Sequence, residues 1–186
     1  MKLISTIAVC AVTMFNALLA AAVPVSYEGT LQPGTSVTGS VGGFSYFLED
    51  VSSGIDFWRF FATAAAPITL LGTRLNNNLD PAFSLYFGTT SADDSLFSAS
   101  SNWGGLLFLA SADDEVPNPG PGGDPLLRNF IAPFTGQYTV AIGGSLSTDA
   151  GQYPYRLGLA VPEPATLPLA GCALFAWVVM RRRTRG

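Results

Sequence analysis

The closing stretch of this chain limits what the rest of it can be. Val161-Pro162-Glu163-Pro164 leads straight into Ala165–Met180, which carries no charge, and Arg181-Arg182-Arg183 follows. As a helix rising about 1.5 Å per residue, 165–180 spans roughly 24 Å. That is short of the ~20 residues a bilayer usually asks for. Pro168, near its start, adds no more than a kink. We read 165–180 as a transmembrane helix whose arginines stay cytoplasmic, which leaves everything upstream outside. An ordinary single-pass anchor behind a proline-rich linker is the plainer alternative. Such an anchor gives no reason for Pro-Glu-Pro and Arg-Arg-Arg to bracket the apolar run.

That order resembles the PEP-CTERM sorting signal of Gram-negative bacteria, over Val161–Gly186. The resemblance implies an exosortase, a membrane-embedded cysteine transpeptidase, as partner. It implies cutting near Pro-Glu-Pro, with delivery from the inner membrane to the cell surface or extracellular matrix. The catalytic cysteine belongs to the exosortase; this chain resembles its substrate. A link to exopolysaccharide and biofilm is implied in the same way. A glycolipid-anchor signal also has a removable apolar tail, but one that does not end in a basic cluster.

The other end reads as a leader. Lys2, the apolar run Leu3–Leu19 and Ala20-Ala21-Ala22 have the order of a secretory signal peptide cut after Ala22. Cys10 lies in mid-run, too early for a lipidated cysteine. Three parts follow: a signal peptide at 1–22, an exported domain at 23–160 and the sorting signal at 161–186. Arg59, Arg74, Arg128 and Arg156 face twelve acids within 23–160, a net of −8. Such a domain repels nucleic acid and anionic membranes and attracts divalent cations. Cys10 and Cys172 both fall in the apolar ends, so the exported domain has neither disulfide nor thiol.

Between the ends, short runs of alternating apolar residues are separated by Gly, Pro, Ser, Thr and Asn. No run holds a helical period beyond two turns. Strands are expected at Ser26–Leu31, Ser36–Val41, Phe44–Leu48, Asp56–Thr63, Pro67–Leu75 (broken at Gly72), Ala82–Phe87, Leu106–Ala110, Leu127–Ala132, Gly136–Ile142 and Tyr153–Ala160. Gly42-Gly43 reads as a tight hairpin. Ser111–Pro125, with four prolines and three glycines, is the longest irregular stretch. Eight to ten such strands predict an all-β chain folded as a single jelly-roll-like β-sandwich. Phe44, Phe47, Trp58, Phe60, Phe83, Phe87, Phe130 and Tyr138 are the expected aromatic core.

Several pieces fall in a recognisable order: Asp56-Phe57-Trp58-Arg59-Phe60, Asp80-Pro81-Ala82-Phe83, Asp113-Asp114, Asp124-Pro125-Leu126, then Gly136-Gln137-Tyr138-Thr139-Val140 and Gly151-Gln152-Tyr153-Pro154-Tyr155. Together they resemble the bacterial pre-peptidase C-terminal domain, over roughly Gly54–Leu159. That resemblance implies a β-sandwich that often binds calcium and sometimes polymeric substrates. No catalytic domain precedes it in this sequence.

The chain has no histidine, and its one lysine is Lys2. With no cysteine in 23–160, the Ser-His-Asp, Cys-His and Ser-Lys arrangements and Schiff-base chemistry are excluded there, as are the usual zinc ligand sets. A hydrolase using two acids would need a sugar-sized cleft between them, and no signal places one. No enzyme is therefore expected. Carboxylates on loops suit Ca²⁺, which takes six to eight oxygens. Asp113, Asp114 and Glu115, with Asp124 across the Pro/Gly loop, form the best set. Asp56, Asp80, Asp93 and Asp94 rank second. The spacing is not an EF-hand, and these acids could equally be solvating loop charge. Trp103 could face a sugar ring or pack under its loop; Arg59 and Arg156 read as solvated.

Two functions stay open. One is a non-enzymatic surface or matrix protein sorted by an exosortase. The other is a calcium-dependent polysaccharide- or protein-binding module.

Overall fold

Eleven strands carry the chain through the computed structural model, which describes residues 23–51, 54–147 and 151–161. They are β1 (Tyr27–Thr30), β2 (Thr35–Gly42), β3 (Asp56–Ala62), β4 (Pro67–Arg74), β5 (Leu79–Phe87), β6 (Leu107–Ala112), β7 (Val116–Pro117), β8 (Gly123–Asp124), β9 (Leu126–Ile131), β10 (Gly136–Ser147) and β11 (Gln152–Ala160). The expected signal peptide (1–22), the expected membrane helix (165–180) and the other residues from Pro162 onward lie outside the described residues. Among those described, no helix is long and apolar enough to cross a membrane.

The strands form two sheets, ordered β1-β3-β10-β5-β6 and β2-β11-β4-β9, with a β7-β8 ribbon beside them. All pairings are antiparallel except β1 with β3. This is the expected all-β sandwich. Alternation decides which side chains it buries. β11 turns Tyr153, Tyr155, Leu157 and Leu159 inward, and β4 turns Ile68, Leu70, Gly72 and Arg74 inward. They meet Trp58, Phe60, Phe83, Leu85, Tyr138 and Val140 from the facing sheet.

The larger sheet is covered on its outer face as well. Val25, Phe57, Tyr86, Phe97, Trp103 and Leu106 make a second apolar layer under the 89–106 segment. Hence β5 is buried on both faces, and Tyr86 is fully enclosed.

Three expectations need correction. Phe44–Leu48 is a turn and not a strand, and Phe47 is 70% exposed rather than in the core. The reason lies in Gly143 and Gly144, whose missing side chains let 42–46 pack on β10's backbone. There Tyr46 N–H donates to Gly144 O at 3.0 Å. β4 runs unbroken through Gly72, where a Cβ would lie 2.7 Å from Pro125 Cγ. The glycine admits that proline and leaves the strand whole. Finally, β10 continues beyond Ile142 to Ser147, because Leu79 and Asp80 of β5 still pair with it.

Candidate metal centre

Antiparallel pairing of β5 with β6 assembles the site. Their register ends at Phe83 opposite Ala112. Carried two residues further, it brings Asp113 and Asp114 beside the start of β5, where Asp80 sits. Carboxylate oxygens of Asp80, Asp113 and Asp114 lie within 4.8 Å of one another. Oxygens bound to one calcium ion at 2.3–2.6 Å lie no more than about 5.2 Å apart, so these three are close enough to share one.

The oxygens are unequally satisfied. Asp114 Oδ1 accepts from Gly123 N–H at 2.6 Å, and Asp113 Oδ2 accepts from Ser145 Oγ at 3.2 Å. Asp80 Oδ1 and Asp113 Oδ1 are buried with no hydrogen-bond partner. Asp80 is only 4% exposed. Its nearest cation is Arg74, whose Nη2 stands 3.6 Å from Oδ1, too far for a hydrogen bond. Burial, reinforced by the charges of Asp113 and Asp114, pushes the Asp80 carboxyl up to about 7. Burial also raises Asp113, with Asp114 adding to it. Three carboxylates crowded together, two of them with a buried oxygen that has no hydrogen-bond partner, favour whatever neutralises them, a proton or a cation.

Arg74 stands within ion-pair distance of Asp80 but gives its hydrogen bonds to the loop. It faces inward on β4, and its Nε donates to Asp124 Oδ1 at 2.8 Å. Its Nη1 donates to Pro121 O at 2.6 Å, and its Nη2 to Gly123 O. Asn118 fills the other oxygen of Asp124 at 2.7 Å. Gly122, at φ +59°, presses against Asp80 and Asp114, and any side chain there would overlap both.

Asp113 and Asp114 are therefore together, joined by Asp80 from the second-ranked set. Asp124 is engaged by Arg74 and Asn118. Glu115 Oε2 accepts from the backbone N–H of Asp113 and Leu126, each at 3.0 Å. Both acids shape the loop around the cluster. Asp56 lies in a separate network with Tyr155, and Asp93 caps a 3-10 turn through Ser95 N–H. Trp103 is 6% exposed and packs edge-on against Phe97 and Tyr86. Sequence reasoning ranked Asp80 low because it sits 33 residues from Asp113; only the β5–β6 pairing makes them neighbours.

Residues 160–183 match the PEP-CTERM protein-sorting motif. The chain carries an exosortase sorting signal. The motif implies export, membrane anchoring before processing and an exosortase as processing partner. Val161 packs against the core, while Pro162, Glu163, Pro164, Arg181, Arg182 and Arg183 lie outside the described residues. No curated protein matches the sequence. Among solved structures, the surface-associated copper-binding protein CorA of Methylomicrobium album BG8 superposes at a TM-score of 0.53 and 14% identity. That match covers 73% of this chain and 98% of CorA. The secreted protein MopE of Methylococcus capsulatus gives 0.49 and 13%, covering 72% and 87%. The pre-peptidase C-terminal domain of a Bacillus anthracis collagenase gives 0.43 and 17%, covering 73% and 97%. At such identities the CorA likeness establishes a shared fold and nothing further.

Proposed function

We propose that the PEP-CTERM-tagged chain is a non-enzymatic surface or matrix module. Its exported sandwich is stabilised by a calcium ion held by Asp80, Asp113 and Asp114. The observation that carries the metal reading is the pair of buried, partnerless oxygens, Asp80 Oδ1 and Asp113 Oδ1, aimed into one cluster. A divalent cation satisfies both and cancels the repulsion among three carboxylates. Asp113 and Asp114 are partly or fully exposed, so water completes the coordination shell.

The donors are all carboxylate oxygens, which suit Ca²⁺, Mg²⁺ or Mn²⁺ better than copper, whose preferred ligands are nitrogen and sulfur. The copper named for the CorA neighbour therefore has no counterpart in this cluster. A scaffold or binding role fits a domain without histidine, lysine or cysteine, and exopolysaccharide is the matrix component we assign as its partner.

Calorimetric titration of the exported protein with CaCl₂, MgCl₂ and CuCl₂ tests the metal. Calcium binding at one site, lost in Asp80→Asn, is expected; no calcium heat, or calcium heat unchanged in that variant, would sink the assignment. Retention on the producer's own exopolysaccharide, with and without chelator, tests the partner.

A further inference from the structure

A groove of about 640 Å³ lies on the outer face of the β2-β11-β4-β9 sheet. Leu71, Val116, Leu126 and Ala160 give it an apolar lining, and Arg128 is its one cation among the described residues. Gly158 deepens it, since a Cβ there would meet nothing closer than 3.9 Å. Arg128 is exposed and has no hydrogen bond or ion pair among the described residues.

We propose that the chain's own Pro162-Glu163-Pro164 occupies this groove before processing, with Glu163 on Arg128 and the two prolines on the apolar lining. The docking follows from the residues around Glu163 and stands whether or not an exosortase later cuts there.

The point of exit supports it. β11 ends at Ala160, itself part of the groove. Leu159 is buried, Ala160 faces out, and Val161 packs against the core. The same alternation carried one residue past Val161 would turn toward the groove's side. The reach is sufficient. Arg128 lies on β9, two strands from β11 across β4, roughly 10 Å at ~4.8 Å per strand. Three residues from Ala160 to Glu163 extend up to about 10 Å before either side chain is counted.

The chemistry also matches. Glu163 is the only acid in 161–186, and it belongs to a chain whose exported domain is strongly acidic. Arg128 gives such an acid a cation at the groove, where the Glu115 carboxylate is already taken up by the Asp113 and Leu126 N–H groups. The prolines have no N–H to leave unpaired against apolar walls. An exposed ion pair is weak alone, but tethering two residues from the groove supplies a high effective concentration. A tripeptide held this way is shielded, and its release must precede cutting.

The test uses the full chain in detergent, with Cys10→Ser and Cys172→Ser, and Leu71→Cys as a reporter on the groove. Its labelling by a neutral maleimide is timed. Arg128→Glu and Glu163→Lys should each speed labelling several-fold, and the double charge reversal should slow it again. Removing a cation raises a thiol's pKa, so ionisation alone would move the Arg128→Glu rate the opposite way. Arg156→Glu, exposed on the same sheet but outside the groove, should change nothing. Melting curves check that each variant is folded, with Arg128→Gln as the milder substitute. Equal rates in all variants, or Arg156→Glu matching Arg128→Glu, would overturn the proposal. So would a rate that depends on protein concentration, which would put a second copy in the groove.

Discussion

Tyr155 Oη donates to Asp56 Oδ2 at 2.6 Å while accepting the indole N–H of Trp58 at 2.7 Å. Tyr155 belongs to β11 and the other two to β3, so one phenol ties the two sheets together. Gly39 of β2 makes the room, because a methyl there would overlap both Asp56 and the phenol. Burial raises the Asp56 carboxyl, and the hydrogen bond from Tyr155 partly offsets it.

Tyr155→Phe removes only the hydroxyl and strands two partners. Each buried polar group left unpaired costs about 1–3 kcal/mol. Urea unfolding should show a loss of roughly 2–4 kcal/mol, and a change within about 0.5 kcal/mol would mean that water replaces the hydroxyl. Gly39→Ala should also destabilise, through overlap at the same point.

Arg74 is the second structural tie. It is 4% exposed and reaches Asp124 together with two loop carbonyls. Arg74→Met leaves Asp124 charged and buried, a loss typically of about 3–5 kcal/mol. Asp124→Asn added to it should recover part of that stability, because the uncompensated charge goes. If the double variant is no more stable than Arg74→Met, the cost lies in the lost carbonyl contacts and in the cation lost beside Asp80.

These ties show what the sequence could and could not convey. The inward row of β11 was legible because Tyr155, Leu157 and Leu159 alternate with polar residues over a full strand. Tyr86 also alternates, yet it is buried, since the outer face of β5 is covered by a segment that has no period of its own. Gly72 looked like a break because a glycine inside a strand weakens it; its real partner, Pro125, is 53 residues away. Asp113-Asp114 announced itself as a carboxylate pair, whereas Asp80 needed the β5–β6 register. Asp124 looked like a ligand until Arg74, an inward arginine at a strand's end, claimed it.

Calcium separates cluster from loop. Asp80→Asn removes the partnerless carboxylate, so the metal-free protein should melt higher than the parent and gain nothing from millimolar calcium. Asp114→Asn should likewise abolish the gain. Asp124→Asn should melt lower yet keep most of it, because Asp124 faces Arg74 and Asn118. A ligand that binds only the folded state adds about 2.7 kcal/mol at one hundred times its Kd, a shift readily seen by scanning calorimetry. If Asp124→Asn lost the gain and Asp80→Asn kept it, the ligand set would have to be redrawn around the loop.

The same carboxylate sets the pH dependence without metal. Asp80 is raised from 3.8 to about 7 in the folded protein. Between those values the folded state holds a proton that the unfolded state has released. Stability therefore falls as pH rises through that window, and is lowest above 7. Asp56 and Asp113, also raised by burial, act with the same sign. In chelator, the melting temperature should be higher near pH 5 than near pH 8. Asp80→Asn should flatten most of that slope. With saturating calcium the trend should reverse, since acid then displaces the ion that holds the three carboxylates. A chelated protein that melts higher at pH 8 than at pH 5 would show that Asp80 is ionised and paired at neutral pH, and would remove the electrostatic reason for a cation there.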